Sequence, residues 1–189
     1  VTGSPGSGKS TLVDQLALQF AEHGMRVGVL AVDPSSSKSG GALLGDRVRM
    51  HAAQMHPSVF IRSIASRGDL GGLGPTVRDA IIVLRAAGVE RIIVETVGVG
   101  QAEIAIAELA DVVLLVEVPG MGDEVQALKA GVMEIADFIC VNKADYPGAD
   151  LALRHLRESM LGDSQVLGQR LQQVVKTVAT SGQGVAELA

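Results

Sequence analysis

Short apolar runs alternate along the chain with longer stretches in which apolar residues recur at helical spacing. Val27 to Val32, Val59 to Ile61, Ile92 to Val94, Val112 to Val118, Phe138 to Val141 and Thr177 to Ala179 read as strands. Ser10 to His23 reads as a helix, because Leu12, Val13, Leu16 and Phe20 fall on one face and Gly24 follows as a stop. Thr76 to Ala87, Gln101 to Leu109, Asp123 to Ala136 and Ala149 to Met160 carry the same pattern. The strand runs are rich in Val, Ile and Leu and barely alternate with polar residues, as strands covered on both faces require. Strand and helix taking turns then predict an α/β fold with a doubly wound, mostly parallel sheet and helices on both faces. In such sheets ligands bind beyond the carboxyl ends of the strands. The Ser/Gly-rich stretches Pro34 to Gly41 and Ser66 to Gly74 read as loops long enough to move.

Length and composition narrow this picture without changing it. At 189 residues the chain reads as one domain, residues 1–189. An apolar share of 47% with 20% charged residues fits a soluble globular protein, and a net charge of −5 argues against tracking a nucleic-acid backbone. Cys140 is the single cysteine, so no disulfide forms within the chain and a reducing, cytoplasmic setting is expected. No run reaches about 18 apolar residues, so no membrane span is expected. Only Val1 and Thr2 precede a glycine-rich loop that ordinarily follows a whole strand, and Val185 to Ala189 reads as the first turn of a helix. The expectation is a domain excerpt, cut in its first strand and its last helix.

Two loops carry most of the chemistry. Gly3-Ser4-Pro5-Gly6-Ser7-Gly8-Lys9-Ser10, followed by Thr11 and a helical pattern, fits the phosphate-binding GxxxxGK[ST] motif. Its glycines let backbone N–H groups converge on phosphate oxygens, the helix N-terminus adds partial positive charge, and Lys9 supplies an ammonium for the β- and γ-phosphates. Ser10 would place its hydroxyl on Mg²⁺. Asn142-Lys143-Ala144-Asp145 fits NKxD after a predicted strand. Asp145 can accept two hydrogen bonds from N1–H and the exocyclic amine of guanine, which adenine cannot offer together. Asn142 is set against the N7/O6 side, the stem of Lys143 along the ring, and a backbone N–H among Val178, Ala179 and Thr180 against O6. Together the loops predict binding of GTP and GDP.

Acids complete the expected site. Glu95 ends one predicted strand and is followed by Thr96-Val97-Gly98, a Glu-bearing counterpart of the DxxG loop in which Gly98 could offer its N–H to the γ-phosphate. Asp33 ends another strand, and Asp46 follows the Ser/Gly-rich loop. Either could orient a water or coordinate magnesium, or serve as a turn aspartate before Pro34 and a surface partner of Arg49. Lys9, Asp33, Asp46 and Gly98 are thus the candidate catalytic groups, and Ser10, Asp33, Asp46 and Glu95 the candidate magnesium ligands. Val99 stands where many GTPases place the glutamine that orients the attacking water, so slow intrinsic hydrolysis is expected. His23, His51, His56 and His155 are scattered without metal-ligand spacing, and a lone buried Cys140 reads as a small hydrophobe.

With these pieces placed, the chain resembles the methylmalonyl-CoA mutase-associated GTPases, the ArgK/MeaB type within the SIMIBI class of P-loop proteins. The resemblance rests on Ala31-Val32-Asp33-Pro34-Ser35-Ser36, on the string from Gly40 to Met50, on Glu95-Thr96-Val97-Gly98-Val99-Gly100-Gln101 and on the two nucleotide loops. It implies a GTP-hydrolysing chaperone that gates adenosylcobalamin loading from an adenosyltransferase and protects an acyl-CoA mutase, with cobalamin bound by the partner enzyme. It also implies that Asp33, Asp46 and Glu95 are magnesium-site acids, and that Pro119 to Glu124 with Gln126 and Lys129 form a nucleotide-sensing segment facing the mutase. The family's last loop reads Ser-Ala-Arg where Val178-Ala179-Thr180 stands here. Its N-terminal arm and C-terminal dimerisation extension lie beyond this stretch, so a homodimer is expected of the full-length protein. A metal-insertion GTPase of the same class and a P-loop small-molecule kinase are the alternative readings.

Overall fold

The computed structural model describes residues 1–33, 50–65, 75–96, 109–120, 133, 135–167 and 173–189, with Asp33 and residues 159–167 described by their backbone alone. Among the described residues, seven strands and four helices follow one another: β1 (Thr2–Gly3), α1 (Lys9–Glu22), β2 (Val27–Asp33), α2 (His51–Gln54), β3 (Val59–Ala65), α3 (Pro75–Ala86), β4 (Arg91–Glu95), β5 (Leu114–Glu117), β6 (Phe138–Val141), α4 (Ala149–Leu167) and β7 (Gln173–Lys176). A 3-10 turn, Val185–Glu187, follows. The strand pairs are parallel and give two ladders, β3-β2-β4 and β1-β5-β6-β7. Their inner edges meet: the Val1 nitrogen donates to Val94 O at 2.7 Å and Thr96 N to Val1 O at 3.1 Å. The Thr96 hydroxyl then donates to that of Thr2 at 3.0 Å, also across the seam. β1 therefore lies between β4 and β5, where the order of connection reverses, and its carboxyl end opens onto the crevice in which such sheets bind ligands.

Both faces of the sheet are covered, which explains the lack of polar alternation. On one face Leu12, Val13, Leu16 and Ala17 of α1 pack with Val27, Val29, Val116 and Cys140. On the other, Leu30, Val32 and Val94 meet Val77, Ile81 and Leu84 of α3, and Leu115 and Ile139 meet Leu156 of α4. Neighbouring residues such as Val29 and Leu30, or Leu115 and Val116, thus serve opposite layers, as the two-residue period of a strand dictates. The α/β, doubly wound architecture expected from the sequence is present.

Several boundaries differ. The last strand is Gln173–Lys176, not Thr177 to Ala179: the chain leaves the ladder at Thr177, and Val178 instead makes an antiparallel bridge to Gln183. β3 runs on to Ala65 through Arg62 and Ser63, polar residues that a strand at the end of the sheet order tolerates. The run Val112 to Val118 contracts to Leu114–Glu117, and the helix begun at Ala149 continues to Leu167. Where Val185 to Ala189 reads as the first turn of a helix, Val185–Glu187 forms a 3-10 turn. The expected helices Gln101 to Leu109 and Asp123 to Ala136 lie outside the described residues except at their final positions.

Candidate functional site: a phosphate loop braced by a base loop

The loop from Ser4 to Gly8 joins β1 to α1, and its glycines hold conformations that other residues resist. Gly6 and Gly8 have φ of 77° and 89°. A methyl group on Gly3 would run into Val116 O, and one on Gly8 into Asn142 Nδ2. Ser7 N donates to Ser4 O at 3.1 Å, closing the turn. α1 starts directly from Gly8 with no side-chain cap and no acidic residue in its first turn. An uncapped helix start of this kind favours an anion.

Lys9 is 6% exposed, and its Nζ folds back over the loop to donate to Gly3 O at 2.8 Å and Ser4 O at 3.0 Å. The Ser10 hydroxyl donates to Glu95 Oε1 at 2.7 Å in a buried contact at the carboxyl end of β4. Thr11 is half-buried beside them, and the Ser7 hydroxyl is buried without a hydrogen-bond partner among the described residues. Asp33 closes β2, two positions beyond Ala31, which is the register partner of Glu95. Asp46 and Gly98, with Val99, lie outside the described residues. Of the expected magnesium set, the structure brings Ser10 and Glu95 into contact and puts the backbone of Asp33 on the adjacent strand. A hydroxyl and a carboxylate set this close are hard oxygen donors, a fit for Mg²⁺. Among the described residues there is no group of three or more His, Cys, Asp or Glu that could hold a metal.

The second loop is built against the first. Asn142 is 2% exposed and uses both ends of its amide internally: Nδ2 donates to Ser7 O at 2.8 Å, while Oδ1 accepts from Thr177 Oγ1 and Ala179 N, each at 3.1 Å. The side chain set against guanine N7/O6 by the sequence also forms a three-way brace between the phosphate loop, the end of β6 and the last loop. Lys143, at φ 55°, is the one non-glycine residue with positive φ among those described. Its ammonium donates to Gly6 O at 2.9 Å, so its stem crosses between the two loops. Asp145 is exposed at the rim, free of the burial that holds Asn142. Among Val178, Ala179 and Thr180, the Val178 N–H goes to Gln183 O and that of Ala179 to Asn142, while Thr180 is exposed and makes no hydrogen bond among the described residues.

Cys140 lies behind the brace, with Sγ 2.9 Å from Thr177 Oγ1, and burial pushes its thiol up to about 11. It is part of the packing layer under α1, as its surroundings in an apolar strand predicted. Two buried acids escaped the sequence reading. Asp14, one turn along α1 from Ser10, accepts from Ala53 N at 2.8 Å and Ala52 N at 3.3 Å, holding the start of α2. Glu117 ends β5 in the apolar setting in which Glu95 ends β4. The signal for Glu117 was present, as a carboxylate closing an apolar run. Asp14 had none, since its partners are backbone groups 38 and 39 positions away.

Comparison with known proteins agrees with this geometry. The family model described as methylmalonyl Co-A mutase-associated GTPase MeaB matches residues 1–189. A Pyrococcus abyssi protein is 53% identical over 191 residues, covering 100% of this chain and 59% of that protein. The mouse protein named methylmalonic aciduria type A homolog, mitochondrial, is 38% identical over 194 residues, covering 100% of this chain and 46% of its own length. The chain thus spans between two fifths and three fifths of these relatives. Among solved structures, HypB from Helicobacter pylori in complex with nickel superposes with a TM-score of 0.71 at 16% identity, covering 99% of this chain and 80% of that one. That likeness shows the SIMIBI-type P-loop fold and nothing of the cargo.

Proposed function

We propose, from the premise that this chain belongs to the methylmalonyl-CoA mutase-associated GTPase family, that it binds GTP and GDP, hydrolyses GTP slowly, and serves as the nucleotide switch of a chaperone for an adenosylcobalamin-dependent acyl-CoA mutase. The observation that carries the nucleotide part is the brace: Asn142 ties the NKxD loop to Ser7 O, so a base held at Asp145 and phosphates held at Lys9 belong to one ligand. The family match carries the mutase part.

In this reading the phosphates enter over the uncapped start of α1, and Lys9 exchanges its bonds with Gly3 O and Ser4 O for phosphate oxygens. Ser10 and Glu95, with Asp33 and Asp46, would hold Mg²⁺, which when bound would neutralise charge on the β- and γ-phosphates. Asp145 selects guanine through its two acceptor oxygens. Gly98 offers an N–H to the γ-phosphate, and Val99 can orient no water, so hydrolysis waits on a partner or on a rearranged loop. The full-length protein pairs as a homodimer in the cytoplasm, and the cobalamin stays with the mutase or its adenosyltransferase.

The test is to follow phosphate release from GTP by the full-length protein, alone and with purified acyl-CoA mutases. Slow release that accelerates with a mutase supports the reading. A phosphorylated small molecule as product, or no association with any cobalamin-dependent mutase under GDP or a GTP analogue, would sink it.

A further inference from the structure

Lys143 adopts a left-handed backbone conformation that a lysine does not favour by itself, so contacts elsewhere must fix it. One contact is the bond from its Nζ to Gly6 O at 2.9 Å. The other is an aromatic face: Nζ lies 5.8 Å from the centroid of the Tyr146 ring, within the range of a cation–π attraction. The turn that brings the ring there is closed by Tyr146 N donating to Lys143 O at 2.9 Å. Tyr146 is 56% exposed and packs into no core, so folding alone does not explain an aromatic residue at this position.

We propose that Tyr146 is a positioning residue for nucleotide binding: its ring and Gly6 O grip the Lys143 ammonium from two sides and hold the lysine stem as a fixed wall beside the base rim at Asp145. The inference rests on the guanine-nucleotide reading given above. The grip is made by groups of the protein itself, so it lowers the ordering cost of binding. It acts on affinity and leaves the chemistry of bound GTP alone.

The test measures GDP affinity by calorimetry for the wild type, Tyr146→Phe, Tyr146→Ala, Lys143→Met and the double variant Lys143→Met/Tyr146→Ala, with turnover at saturating GTP alongside. Tyr146→Phe keeps the ring and should bind GDP like the wild type. Tyr146→Ala should weaken GDP by about two- to five-fold, the range of an exposed cation–π contact, with unchanged kcat. In the Lys143→Met background, where no cation remains, Tyr146→Ala should have no further effect. The proposal is overturned if Tyr146→Ala binds GDP like the wild type, if its loss persists undiminished without the Lys143 ammonium, or if Tyr146→Phe loses as much. A wild type that does not prefer GDP to ADP overturns the guanine reading and this inference with it. A clear GDP preference with a neutral Tyr146→Ala overturns the inference alone.

Discussion

Ser10 and Glu95, 85 positions apart in the chain, share a buried hydrogen bond of 2.7 Å. It joins the first turn of the helix that follows the phosphate loop to the carboxyl end of β4, where the sheet changes direction of connection. A carboxylate buried at this depth is costly unless paired, and the hydroxyl pairs it. The same two oxygens are the donor pair proposed for magnesium.

Ser10→Ala should therefore act twice. Removing the hydroxyl takes a partner from a buried carboxylate and should destabilise the domain by about 1 to 3 kcal/mol, read from urea unfolding. It should also flatten the dependence of GDP affinity on Mg²⁺, while Ser10→Thr retains both properties. An unaltered magnesium titration in Ser10→Ala would remove Ser10 from the metal site.

Asp145→Asn should move nucleotide preference from GTP toward XTP. An amide can donate to the C2 carbonyl of xanthine but cannot accept twice from guanine. Because Asp145 is exposed and makes none of the bracing bonds, the fold should be unaffected. Competition between GTP and XTP for a fluorescent guanine nucleotide measures the switch, and equal GTP affinity in the variant would show that another group reads the base.

Asp14 bonds two successive backbone N–H groups at the start of α2, and nothing else in the described structure replaces it there. Asp14→Ala should cost about 2 to 4 kcal/mol, as one buried and one part-buried donor lose a charged acceptor. Asp14→Asn, which keeps one acceptor oxygen, should lose about half as much. Denaturant midpoints for the two variants provide the check, and identical losses would mean that volume and not hydrogen bonding is at stake.

Cys140 supplies a pH prediction. Its thiol rises from 9.0 to about 11 because burial disfavours the thiolate. Between those values the unfolded chain releases a proton that the folded chain retains, so stability contributed by this group is full below pH 9 and declines toward pH 11. The decline should reach about 2 to 3 kcal/mol. Cys140→Ser, whose hydroxyl does not titrate in this window, should lack that component, so the stability difference between wild type and variant should change with pH between 9 and 11. A constant difference would show that the thiol titrates normally.

The strands that carry the ligand crevice were legible because both of their faces are apolar, and Val27 to Val32 or Phe138 to Val141 needed no long-range information. The last strand is hard to read for the opposite reason. Gln173 and Lys176 are exposed at its ends, while the more apolar Thr177 to Ala179 beyond it forms a loop held by the Asn142 amide. The two nucleotide loops were also legible, being local motifs with fixed spacing. What spacing did not reveal is their joining: Asn142 to Ser7 spans 135 positions and Lys143 to Gly6 spans 137. Such contacts follow from the fold and from no pattern nearby in sequence.

Nδ2 of Asn142 fastens to Ser7 O, and its Oδ1 takes Thr177 Oγ1 and Ala179 N, so one side chain belongs to three segments at once. A displacement of any one of them strains the other two. Loops that lie 135 positions apart in the chain therefore answer to each other mechanically, with a single amide as the joint.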